Sequence, residues 1–141
     1  MLHWTSGEAP EDTCWDLFDP SRGLLRPAPV APRAIDPAYV ADAIASFMRT
    51  GFHGALNYYR AVDPFTRNWA AFAGARIAQP SMFLAGTLDG LNKVVSPNRE
   101  AMGNDLTDLR SFVLLDGIGQ WPQLEAPDAT NAALLAFLHD L

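Results

Sequence analysis

Three short stretches carry side chains able to do chemistry. In "GTLDG" (86–90) an aspartate, Asp89, follows the apolar run "PSMFLAG" (80–86). In "GIGQWPQLEAP" (117–127) Gln120 stands in a glycine-rich turn after a second apolar run, "RSFVLLDG" (110–117), and before a helical pattern. In "TGFHGALNYYR" (50–60) Tyr58 and Tyr59 lie beside each other among Phe52 and Leu56. A carboxylate just past a strand can orient a base, and a buried phenol can donate a hydrogen bond to a developing oxyanion. Each has a plainer alternative. Asp89 makes a turn with Gly90, a common use of Asp-Gly. Paired tyrosines on an amphipathic helix serve as core and surface residues, and neighbours about 100° apart cannot both face one pocket.

The surrounding pattern sets the elements that would position these groups. Residues 1–36 are rich in proline, show no sustained period and read as an irregular arm leading into the next segment. At "IDPAYVADAIASFMRTG" Asp36 can cap, Pro37 suits the first helical position, and Tyr39, Val40, Ala43, Ile44, Phe47 and Met48 recur at helical spacing up to Gly51. A second helical stretch, 53–74, is expected to break at Pro64. The runs 80–86 and 110–117 suit buried parallel strands, with a short helix between them capped by Ser96. A last helix begins near Pro127. The expected fold class is α/β, with a helical segment 37–78 followed by strand-helix-strand-helix over 79–141. Asp89 and Gln120 then sit on loops at neighbouring strand ends, where open α/β sheets form their crevices. Two parallel strands cannot cover each other, so the chain is expected to be part of a larger sheet.

Together the stretches "TGFHGALNYYRAVDPFTRNW", "PSMFLAGTLDGL" and "GIGQWPQLEAPDATNAALLAFL" resemble the lid and C-terminal half of epoxide hydrolases of the α/β-hydrolase fold. The resemblance covers residues 36–141 and, more loosely, "LHWTSGEAP" (2–10). It implies an aspartate nucleophile that opens the oxirane to a covalent ester, lid tyrosines that hydrogen-bond the epoxide oxygen, and a histidine–carboxylate pair that activates the hydrolytic water. Tyr59 matches the second lid tyrosine and Tyr58 stands where the family usually has Trp. Asp89 matches the carboxylate that orients the histidine. Gln120 occupies the histidine position, followed by Trp121, Gln123, Glu125 and Pro127 as in the family pattern. Phe52, Leu56, Tyr58 and Trp121 would line the ligand site.

The departures matter as much as the matches. No stretch resembles the nucleophile elbow or the His-Gly oxyanion segment, which the resemblance places upstream. A neutral amide at 120 does not accept a proton as imidazole does, and His3, His53 and His139 are not placed to replace it. Turnover by this chain alone is not expected. The alternatives are a non-catalytic pseudoenzyme that retains an apolar ligand site, or an interaction module that pairs an exposed sheet edge with another chain. A haloalkane dehalogenase is the nearest other enzyme, but a halide leaving group needs no lid tyrosine.

Bulk properties narrow the partners. The 141 residues are 49% hydrophobic with net charge −6, and the pI is about 4.8. With the ten Lys and Arg scattered singly, nucleic acid and anionic membrane are not expected partners. The expected ones are a small apolar epoxide-like ligand and an N-terminal hydrolase half or a second copy. Cys14 is the single cysteine, which suits a reducing, cytoplasmic setting. No metal or organic cofactor is suggested, because the carboxylates and histidines lack ligand spacing.

Overall fold

The computed structural model describes residues 2–9, 31–93 and 95–141. Cys14 and the prolines between 10 and 30 lie outside the described residues. The described elements are α1 (Leu2–Thr5), α2 (Pro37–Thr50), α3 (His53–Arg60), α4 (Val62–Trp69), β1 (Ser81–Gly86), α5 (Arg99–Gly103), β2 (Leu109–Leu115), α6 (Pro122–Glu125) and α7 (Pro127–His139).

α2 starts where its local chemistry dictates. The Asp36 carboxylate accepts from the Ala38 N–H at 2.8 Å, and Pro37 occupies a position whose missing N–H has no intrahelical partner to lose. It stops at Gly51, whose φ of +65° strains any residue with a Cβ. Across that glycine the rings of Phe47 and Phe52 stack with centroids 4.6 Å apart, which ties α2 to α3. The break in the next helical stretch falls at Ala61, not at Pro64. Pro64 is the third residue of α4, within the first turn, where a helix has no bond for the missing N–H to make.

β1 and β2 pair in parallel, with Phe83 opposite Phe112 and their rings stacked 5.1 Å apart. The crossover between them carries α5, whose N-cap is Asn98 rather than Ser96. The Asn98 Oδ1 accepts from the Ala101 N–H at 3.0 Å, the bond that defines a cap. α5 and α7 pack on β2, and α6 packs on α7. Met82 and Leu84 on one face of β1 line an open groove of about 350 Å³ with Thr130, Leu134 and Phe137 of α7. The strands are half-buried except for buried Gly86 and exposed Arg110 and Leu114.

The most enclosed residues lie elsewhere. His3, Thr5, Ser6 and Ile35 are buried, as is Gly119. They cluster where residues 2–9, read from sequence as irregular, form the helical turn α1 and then a strap that docks on the turn after β2.

Candidate active site

The two strand ends are joined through their loops. The Thr87 N–H donates to the Leu115 carbonyl at 2.9 Å and the Leu88 N–H to the Ile118 carbonyl at 2.8 Å. The Thr87 hydroxyl accepts from the Gly117 N–H at 2.9 Å and donates to Asp116 Oδ1 at 3.3 Å. Gly86 permits the approach, since a Cβ there would run into the carbonyl oxygens of Ile118 and Gly119. Asp89 and Gln120 are therefore held on two loops laced to each other, as expected for neighbouring strand ends.

Asp89 makes the Asp-Gly turn considered above: its Oδ1 accepts from the Leu91 N–H at 2.9 Å and its carbonyl from the Asn92 N–H at 3.0 Å. That bonding engages Oδ1 of the carboxylate in the turn. Asp89 and Gln120 are both half-buried.

The backbone around Gln120 is fixed at three consecutive amides. The Gly119 N–H donates to Glu125 Oε2 at 3.0 Å, the Gln120 N–H to the Thr5 carbonyl at 2.8 Å, and the Trp121 N–H to Glu125 Oε1 at 3.1 Å. The strap closes the set, with the Gly7 N–H on Glu125 Oε2 at 2.7 Å and the Trp121 indole N–H on the Thr5 hydroxyl at 2.6 Å. Gly7 and Gly119 make the crossing possible. A Cβ on Gly7 would meet the Gly117 carbonyl, and one on Gly119 would meet the backbone of residues 5–7. The far end of the strap is tied by Glu8, whose Oε1 accepts from the Ala34 N–H at 2.6 Å just ahead of α2. The backbone N–H of Arg33, chiefly, holds the Glu8 carboxyl below its ordinary pKa, aided by the Ala34 N–H and the Arg33 charge and opposed by desolvation.

Residues 52–60 stand apart from this lacing. Tyr58 and Tyr59 are 78% and 59% exposed and meet each other edge to face, 5.6 Å between centroids. Phe52 and Leu56 are exposed too. Arg60 bonds within its own helix, donating to Asn57 Oδ1 at 2.9 Å. The structure thus brings Asp89, Gln120 and Trp121 to one end of the strand pair, and joins neither tyrosine to them by a hydrogen bond. The apolar groove between β1 and α7 contains none of the candidate residues. Glu125 and the strap are the parts of this lacing that sequence reasoning passed over. Glu125 was visible only as one matched position, and its partners lie 118 and 6 residues away.

No family model matches the chain. Over 139 residues, 98% of this chain, it is 42% identical to an epoxide hydrolase of Caballeronia sordidicola, of which it covers 42%. Epoxide hydrolase A of Mycobacterium tuberculosis is 44% identical over 101 residues, covering 70% of this chain and 30% of that protein. The crystal structure of epoxide hydrolase A from Mycobacterium thermoresistibile superposes with a TM-score of 0.72 at 37% identity, over 82% of this chain and 36% of that one. The chain thus spans about two fifths or less of the length of these relatives. Among the described residues, no helix is long and apolar enough to cross a membrane.

Proposed function

We propose that this chain, which belongs to the epoxide hydrolase family of the α/β-hydrolase fold, supplies the lid and the acid–base strand ends of an epoxide-processing unit in which the base position is disabled. The nucleophile-bearing part belongs to further sheet that pairs with these two strands. The half-exposed strand pair, each strand with one unpaired edge among the described residues, supports that need for cover.

In such a unit a carboxylate attacks an oxirane carbon, the C–O bond breaks, and the oxygen leaves as an alkoxide that takes a proton from a lid phenol, Tyr59 in this chain. Phe52, Leu56, Tyr58 and Trp121 offer apolar surface to the ligand. The ester that results is hydrolysed only when water gives up a proton to a base. Asp89 lies on the loop laced to the base turn, but Gln120 is a neutral amide with no proton affinity near pH 7. The ester therefore accumulates, and the unit behaves as a trap for epoxides rather than as a catalyst. The single cysteine, Cys14, accords with a reducing, cytoplasmic setting.

The observation that carries this reading is the turn itself. Every backbone donor from 119 to 121 is satisfied beside the loop of Asp89, which supports reading position 120 as the base position, held here by an amide. The test is a chimera in which this chain replaces the matched portion of the Caballeronia sordidicola enzyme, treated with an aryl epoxide and read by intact mass. The expected result is a retained adduct of one epoxide mass and little diol. Diol accumulation with no retained adduct would contradict the proposal.

A further inference from the structure

Glu125 is the last residue of the single-turn helix α6, which folds its side chain back over the turn it follows. The Glu125 N–H donates to the Trp121 carbonyl at 2.8 Å while the Glu125 carboxylate accepts from the Trp121 N–H at 3.1 Å, a reciprocal arrangement akin to a capping box. The same carboxylate takes the N–H of Gly119, on the other side of Gln120, and the N–H of Gly7 from the strap. One carboxylate thus grips the backbone on both sides of position 120, and the strap it holds supplies the Thr5 carbonyl that takes the N–H of Gln120 itself.

We propose that Glu125 is the positioning residue of this site: by holding the amides of Gly119 and Trp121 and docking the strap, it fixes the Cα–Cβ direction of the side chain at 120, in the turn laced to the loop of Asp89. A carboxylate suits the task because both of its oxygens accept, and charge-assisted bonds to N–H groups are the strong ones. An amide of the same shape fails. Glu125→Gln puts an NH₂ in place of one oxygen, so either the Trp121 N–H or the Gly7 and Gly119 pair faces another donor. The claim rests on the reading of position 120 given above, but the geometry it concerns is measurable without turnover.

The first measurement is residue-resolved amide hydrogen exchange on the full chain. Glu125→Gln is expected to speed exchange at Gly7, Gly119 and Trp121 at least tenfold and to shift the Gln120 side-chain amide signals, while α7 and β2 keep their protection. Unchanged exchange at Gly119 and Trp121 would overturn the proposal. Should Glu125→Gln unfold, Glu125→Asp, which keeps the charge but withdraws it by one methylene, is read in the same way. The second measurement uses the chimera carrying Gln120→His, where Glu125→Gln is expected to lower kcat tenfold or more with KM little changed. Equal kcat would overturn positioning even if exchange were faster. If Gln120→His gives no turnover with Glu125 intact, the functional reading fails, and the exchange result alone decides the role of Glu125.

Discussion

Gly119→Ala is a one-methyl perturbation whose effect follows from the crossing of two backbones. The added Cβ would lie 2.6 Å from the Thr5 carbonyl oxygen and still nearer the Gly7 nitrogen and the Ser6 carbonyl carbon. All three are backbone atoms, so no side chain can rotate away and the strap must lift. Lifting it breaks the Gln120 N–H bond to Thr5, the Trp121 indole bond to the Thr5 hydroxyl and the Gly7 N–H bond to Glu125. Two neutral bonds and one to a carboxylate, in a half-exposed setting, contribute about 2–4 kcal/mol. That is about 30- to 1,000-fold in the ratio of docked to undocked strap. Amide exchange at Gln120 reads this ratio directly, with proteolytic cutting between residues 2 and 9 as a second probe. Gly117→Ala is the control: at φ +72° it meets nothing within 4 Å, so it strains the backbone by about 1–2 kcal/mol without touching the strap. Gln120 protection that survives Gly119→Ala within about threefold, or that falls equally in Gly117→Ala, would refute the argument that the glycine crossing seats the strap.

Three further expectations can be checked separately. Because the folded-state pKa of Glu8 is lowered, its hold on the strap is fully present above the ordinary glutamate value of 4.5 and is lost as pH falls through the lower folded value; Ala34 exchange should rise over that acid range, and Glu8→Gln should remove the dependence. Asp36→Ala deletes the cap on the Ala38 N–H, costing α2 about 1 kcal/mol, which exchange at Ala38 and Tyr39 should report as about a fivefold rise. In the chimera carrying Gln120→His, Tyr59→Phe should lower kcat about 10²-fold, the cost of one oxyanion donor, with KM little changed.

What could be read from the sequence was what is local. Asp36–Pro37 and Gly51 bound α2 because capping and left-handed φ are properties of single residues. The two apolar runs became a parallel pair, and their loops brought Asp89 and Gln120 to the same end. Pro64 misled because a proline is costly only after the first helical turn, and a sequence does not show which turn it will occupy. Ser96 and Asn98 are both competent caps, and the choice fell to the residue whose side chain reached the Ala101 N–H. The strap was illegible for a different reason. Its bonds join residues 116 and 118 apart, and Gly7, Gly86 and Gly119 reveal their purpose only when another backbone passes where a Cβ would be. Glu125 stood in plain view at a matched position, but its role depends on that crossing.

The central claim is that the base turn is intact and lacks only its base. The measurement that tests it most directly is the rate of diol release by the chimera with and without Gln120→His, under single-turnover conditions with an aryl epoxide. The account predicts that the imidazole introduced by Gln120→His raises ester hydrolysis by about 10²–10⁴-fold, the usual contribution of a general base, and clears the retained adduct. Equal diol release from both proteins would contradict it, because the seat at position 120 would then have no part in the hydrolytic step.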